Sequence, residues 1–128
     1  MTYDRDDLDV FWNAEYFPEV IEIERQRYPS IQWVCDILGN NCEIKNIPIP
    51  LHCVDGFQEA FYGRPEAFLS KEVRAAMSAW GFIQEEQQAI MVGRLENALS
   101  SGEWDKKYGY LRKQAFFSGA LRLIIAKP

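Results

Sequence analysis

The carboxyl-terminal run Gly119–Ala126 (GALRLIIA) constrains the fold more than any other segment. A strand that is apolar at successive positions presents apolar side chains to both faces of a sheet, so it belongs in the middle of one. The other well-marked strand segment, Cys42–Pro50, carries Ile44, Ile47 and Ile49 together with Pro48 and Pro50. Proline donates no ladder hydrogen bond, which places this segment at an edge. Two strands alone do not make a stable sheet, and something further must complete it.

The remaining segments read as helices. Phe11-Trp12 opens an amphipathic stretch to about Arg27, restarting at Pro18, a residue suited to a first turn. Val20, Ile21 and Ile23 form its apolar side, and Glu19, Glu22 and Glu24 load its early turns, where the helix dipole favours anions. Ser30 is an N-cap for a short helix through Leu38 that Gly39 stops. Asp55 with Gln58 reads as a capping-box-like start of a helix carrying Phe57 and Phe61, broken by Gly63-Arg64-Pro65. Ser70 caps a helix with Val73, Met77 and Trp80 on one stripe, and a longer helix from about Gln84 to Leu99 ends at Ser101-Gly102. The expectation is a single α+β domain over residues 1–128, with four to five helices packed on a small antiparallel sheet. A chain of 128 residues can bury a core without a disulfide or metal staple.

Charge and cysteine usage exclude several classes. The net charge is −5, and eight of the nineteen acids fall in residues 1–27 against three bases. The six bases after Asp105 are spread over twenty-two residues, too sparse to track a phosphate backbone, so nucleic acid is not an expected partner. No apolar run approaches the roughly 20 residues of a membrane span, and the acidic start does not resemble a signal peptide. Three cysteines (Cys35, Cys42, Cys53) without a CxxC pair, and a single histidine, indicate neither a disulfide framework nor a metal site. Reduced thiols point to the cytoplasm.

FWNAEYFPE (11–19), IPIPLHCVDGFQEAFYGRPEAFL (47–69), EVRAAMSAWGF (72–82), SGEWDKKYGYLR (101–112) and GALRLIIA (119–126) follow one another in an order that resembles the carboxyl-terminal half of class I S-adenosylmethionine-dependent methyltransferases. The most similar group carries a P-x-P-H-D-C-x-D-G-F…RPEAYL signature and a W-D-x-x-x-G-x-L near its end. The resemblance implies that Thr2-Tyr3-Asp4 ends the fifth strand of such a domain, Cys42–Pro50 is the sixth, and Gly119–Ala126 is the seventh, antiparallel and inserted between the other two. Enzymes of this class hold S-adenosylmethionine with a glycine-rich turn in their first half. The eight glycines here (39, 56, 63, 81, 93, 102, 109 and 119) include no GxG, so this chain alone is expected to bind no cofactor.

Candidate site residues cluster around LHCVDG and FYGRP. His52 stands as a general base or substrate hydrogen-bond partner, or as a histidine that satisfies a loop in which Asp55 caps the next helix. Relatives show His-Asp-Cys where this chain has Leu51-His52-Cys53, so a catalytic histidine is not carried over. The resemblance places this region near the acceptor-site mouth and implies that Tyr62 and Arg64 line a substrate pocket, Arg64 binding a carboxylate; read from the residues alone, the aromatics are core and Arg64 bridges helix ends. Trp12 and Tyr16, spaced i, i+4, would wall the same pocket or pack along a helix. The functional expectation is a truncated or split methyltransferase that contributes these acceptor-side residues and is inactive alone. The alternative is a non-catalytic interaction module. An open apolar strand edge implies a homo-oligomer or a complementary cofactor-binding half.

Overall fold

The computed structural model describes residues 1–128. Its main sheet has three strands, β1 (Thr2–Tyr3), β2 (Cys42–Asn46) and β5 (Leu121–Ala126), in the order β1-β5-β2. All pairings are antiparallel: Cys42 opposes Ala126 and Asn46 opposes Arg122, while Thr2 opposes Arg122 and Tyr3 opposes Leu121. The apolar carboxyl-terminal strand is therefore central, as its composition requires. The proline-bearing segment divides into β2, at the edge, and β3 (Ile49–Pro50), which pairs with β4 (Phe116–Phe117) in a separate two-stranded ladder. Pro48 lies between the two pieces, where no ladder bond is needed.

β5 is less apolar in its setting than its sequence implies. Arg122 is buried at 8% exposure and forms ion pairs with Asp7 and, at 3.9 Å, Asp4. Its guanidinium also donates to the Gly119 carbonyl at 2.7 Å. Leu123, Ile124 and Ile125 are only half-buried, because β1 covers no more than the first two residues of the strand.

Six α-helices surround these strands, against the four to five expected. Helix α1 (Asn13–Tyr16) and α2 (Pro18–Arg27) divide at Phe17, with Pro18 at the first position of α2. Helix α3 (Ile31–Ile37) begins at Ser30, whose hydroxyl accepts from the Trp33 amide at 3.1 Å. α4 (Lys71–Ala75) is capped by Ser70. It stops well short of the Val73–Met77–Trp80 stripe: Met77 is extended (φ −105°, ψ 113°) and a 3₁₀ turn, Ser78–Phe82, follows. No breaker stands at Ala76-Met77. The backbone turns there so that Met77 and Trp80, at 5% and 1% exposure, both reach the interior. α5 (Glu85–Ser101) ends at Gly102, whose left-handed backbone (φ 80°) suits glycine, and α6 (Glu103–Tyr108) follows. The helix expected from Asp55 does not form. Asp55 is exposed, and residues Gln58–Phe61 make a 3₁₀ turn that buries all four side chains.

The core is aromatic and lies among the helices rather than against the sheet. Trp12, Phe17, Phe68, Trp80 and Trp104 meet in a run of edge-to-face and tilted contacts, with Tyr62, Val20, Met91, Leu95 and Leu111 in the same cluster. Gly63 sits where this core closes over the loop: a methyl group there would stand 2.5 Å from the Leu111 carbonyl oxygen and 2.6 Å from the Leu51 side chain. Gly63→Ala is expected to destabilise by about 2 kcal/mol through overpacking. Gly93→Ala, in open space on α5, is expected to stabilise by about 0.5–1 kcal/mol through helix propensity. Thermal unfolding of the two variants reads the opposite signs, and equal shifts would contradict this packing.

Candidate functional site

The residues expected to line an acceptor pocket are brought together in part. The Trp12 indole N–H donates to the Tyr62 carbonyl at 2.9 Å across fifty positions of sequence, and the Tyr16 ring lies 6.0 Å from that of Trp12. Tyr62 is fully buried, stacks on Phe117 and donates its hydroxyl to the Gln114 carbonyl. Arg64 donates to the carbonyls of Cys53 and Ala60, both at 3.0 Å, and its guanidinium lies over the Phe61 ring. None of these four residues lines the open cavity that Tyr3, Tyr28 and Gln58 help to enclose. His52 stands apart on the exposed loop that follows β3, beside the fully exposed Val54.

One open cavity, of about 380 Å³, lies elsewhere. It is lined by Tyr3, Glu24, Tyr28, Asp55, Gly56, Phe57, Gln58, Ala76, Met77 and Ser78. Each wall has a local origin. Tyr3 comes from β1, where it opposes Leu121, the last turns of α2 supply Glu24 with Tyr28 just beyond, the 3₁₀ turn supplies Gln58, and the break after α4 turns Met77 inward. The Tyr3 ring meets Tyr28 edge-on at 5.2 Å and Phe57 at 6.5 Å. Asp55, Gly56, Ala76 and Ser78 form an exposed rim, while Tyr3, Glu24, Gln58 and Met77 are the buried floor.

Four of the five buried polar or charged residues of the chain, Asn13, Glu24, Gln58 and Glu59, gather beneath or beside this floor. The Asn13 amide donates to Gln58 Oε1 at 2.8 Å. Glu59 accepts from the Ala120 amide at 2.9 Å. Tyr3 Oη, Glu24 Oε2, Gln58 Nε2 and Asn13 Oδ1 are closed off from solvent. The Gln58 amide faces the Glu24 carboxylate and answers part of the cost of burying it.

Burial governs the proton affinities. Desolvation raises the Glu24 pKa, opposed by the positive charge of Arg27 and by the facing Gln58 amide. Desolvation also lifts Glu59 to about 7, with the Ala120 amide and Arg122 opposing it. Burial, helped by the Glu59 charge, pushes the Tyr3 phenol far above its ordinary range, so it keeps its proton.

None of these floor residues was expected from the sequence as a site. Glu24 did carry a signal. It falls on the stripe of Val20 and Ile21, at i+4 and i+3, where an apolar residue belongs. It lies late in α2 and is buried, so the reading of Glu24 as an early-turn partner of the helix dipole is corrected. Gln58 and Glu59 carried none, because their burial follows from a 3₁₀ turn that local propensity does not announce.

No family model matches the chain, and no curated protein does. A solved structure does: a protein of Anabaena variabilis ATCC 29413, provisionally described as a methyltransferase from an antibiotic biosynthesis pathway. It superposes with a TM-score of 0.88 at 26% sequence identity, over 99% of this chain and 53% of that one. The chain thus has a methyltransferase-like fold and spans about half the length of the structure it matches.

Proposed function

We propose that this chain is the carboxyl-terminal, acceptor-side half of an S-adenosylmethionine-dependent methyltransferase domain, inactive alone and completed by a cofactor-binding half. The observation that carries the reading is the superposition over nearly all of this chain and only 53% of its neighbour. Two features of the chain support it. Its glycines include no GxG with which to bind a nucleotide cofactor at a strand-to-helix turn. The side of β5 facing away from β2 is unpaired over Leu123–Ala126, an edge that a further strand would extend.

In this reading the chain's part is positioning, which is most of what methyl transfer from a sulfonium requires. The Trp12 indole on the Tyr62 carbonyl and the Arg64 guanidinium on the Cys53 and Ala60 carbonyls fix the 50–65 segment. That segment in turn sets Gln58 and Phe57 at the cavity and presents His52 outward as the residue free to meet a second chain. Isothermal titration of S-adenosylmethionine and S-adenosylhomocysteine is expected to give no saturable heat up to about 1 mM. Micromolar binding would overturn the reading and make the chain a cofactor-binding protein in its own right.

The same free edge favours a second reading, a non-catalytic homodimer joined through β5. It requires a dimer in size-exclusion chromatography with light scattering, one that Leu123→Lys dissociates. A monomer at high micromolar concentration would remove it.

A further inference from the structure

We propose that Cys35 and Cys42 are a redox-sensitive thiol pair, closed to an intramolecular disulfide by exchange with a small disulfide such as oxidised glutathione, and that the bond locks helix α3 onto the edge strand β2. The pair does not depend on the methyltransferase reading. Three observations support it.

The first is contact. The Cys42 Sγ atom stands 4.0 Å from the carbonyl oxygen of Cys35, and the two thiols meet through a hydrogen bond of their own. All three cysteines are free thiols. The remaining one, Cys53, packs against the aromatic core instead.

The second is that the fold holds both sulfurs in place. Six residues separate them, and the chain reverses through Gly39 and Asn40, both left-handed (φ 98° and 62°). Asn40 is the one non-glycine residue of the chain with that backbone, a conformation uncommon outside glycine. Its amide donates to the Cys35 carbonyl at 2.8 Å and closes the end of α3. On the other side, Cys42 opposes Ala126 in the β2–β5 ladder, and the Lys127 amide donates to the Asn41 carbonyl at 2.8 Å. A helix end fixes one sulfur and the sheet fixes the other, so the two react as an intramolecular pair at high effective concentration.

The third is the difference between the two thiols. Cys35 is 8% exposed and is the one buried residue of α3, whereas Cys42 is half-buried. Burial and the neighbouring Cys42 thiol raise the Cys35 pKa. Cys42 is therefore the sulfur that an incoming disulfide meets. Its thiolate attacks one sulfur of oxidised glutathione, forming a mixed disulfide and releasing one glutathione thiolate. The Cys35 thiol then gives its proton to solvent and attacks Cys42 Sγ, and the second glutathione leaves. Two protein thiols are oxidised to one disulfide, and one glutathione disulfide is reduced to two thiols. Because α3 buries no other side chain, a bond at Cys35 holds the whole helix.

The test incubates the full chain with oxidised glutathione, blocks the remaining thiols by alkylation and digests with trypsin. The peptide Tyr28–Lys45 carries both cysteines, and Cys53 falls in another. Tyr28–Lys45 is expected to lose two hydrogens and to carry neither glutathione nor an alkyl group. Cys35→Ser is expected to keep a glutathione on Cys42, because no second thiol displaces it. In the oxidised parent the α3 amides are expected to exchange at least about tenfold more slowly than in the reduced one. In the urea-unfolded chain the internal bond is expected to compete with glutathione at least about tenfold less well.

Glutathione retained on either sulfur of the folded parent, alkylation of both, a bond to Cys53 or a disulfide between two chains would overturn the pair. Equal pairing in the folded and urea-unfolded chains would do the same, and unchanged α3 exchange would remove the lock. The parent chain decides each of these even if Cys35→Ser does not fold.

Discussion

Trp12→Ala is expected to cost about 4 kcal/mol of folding free energy, within the range for removing a buried aromatic side chain. For a domain of this size that is a large part of the whole stability. Trp12 is 4% exposed and touches Phe68 and Trp104 edge-on, with ring centroids 5.6 and 5.4 Å away. Its removal leaves a cavity that rigid neighbouring rings cannot close, and it orphans the Tyr62 carbonyl that the indole N–H satisfies. Phe82→Ala, at a residue 70% exposed, is expected to change stability by less than about 0.5 kcal/mol. Urea unfolding of the two variants decides the matter. A loss below about 1 kcal/mol at Trp12 would mean that the aromatic cluster is not the centre of the fold.

Glu59→Gln is expected to change how stability depends on pH. The folded carboxyl holds its proton up to a pH of about 7, whereas in the unfolded chain it loses it near 4.5. Between those values the folded state binds more protons than the unfolded state, so the Glu59 contribution is complete below about pH 4.5 and is lost as pH rises through 7. The size of the loss is about 3 kcal/mol. Glutamine keeps the oxygen that accepts from the Ala120 amide and has no proton to lose. The variant is therefore expected to match the parent near pH 4.5 and to exceed it by about 3 kcal/mol above pH 8. The difference between the two unfolding curves isolates this residue from the carboxyls held below their usual range by ion pairs, such as Glu15 with Lys107 and Glu66 with Arg112. Parallel curves would show that the Glu59 carboxyl titrates in the fold as it does in the unfolded chain.

Elements with a local cause were legible in the sequence. The Ser30 hydroxyl caps α3 because it lies three residues from the amide it accepts, and Gly102 ends α5 because the left-handed turn there suits glycine. Pro18 starts α2 for the same kind of reason. The apolar tail required a central place in the sheet, and the structure puts β5 there. Trp12 and Tyr62 stood out in the sequence as candidates for one place, and the indole N–H does reach the Tyr62 carbonyl; that neither residue lines the open cavity was not legible.

What the sequence determined by itself was the class of the fold, the order of its elements and the resemblance of its segments to a methyltransferase-like domain, because these follow from period, caps and turn residues within a few positions. The tertiary structure alone decided where the open space lies. Met77 leaves a helix that no residue interrupts, Glu24 occupies an apolar stripe, and Gln58 and Glu59 are buried by a 3₁₀ turn, each because distant parts of the chain close around it. Packing of elements far apart in sequence chose which polar groups would be buried, and that burial raises the proton affinity of Glu24 and Glu59.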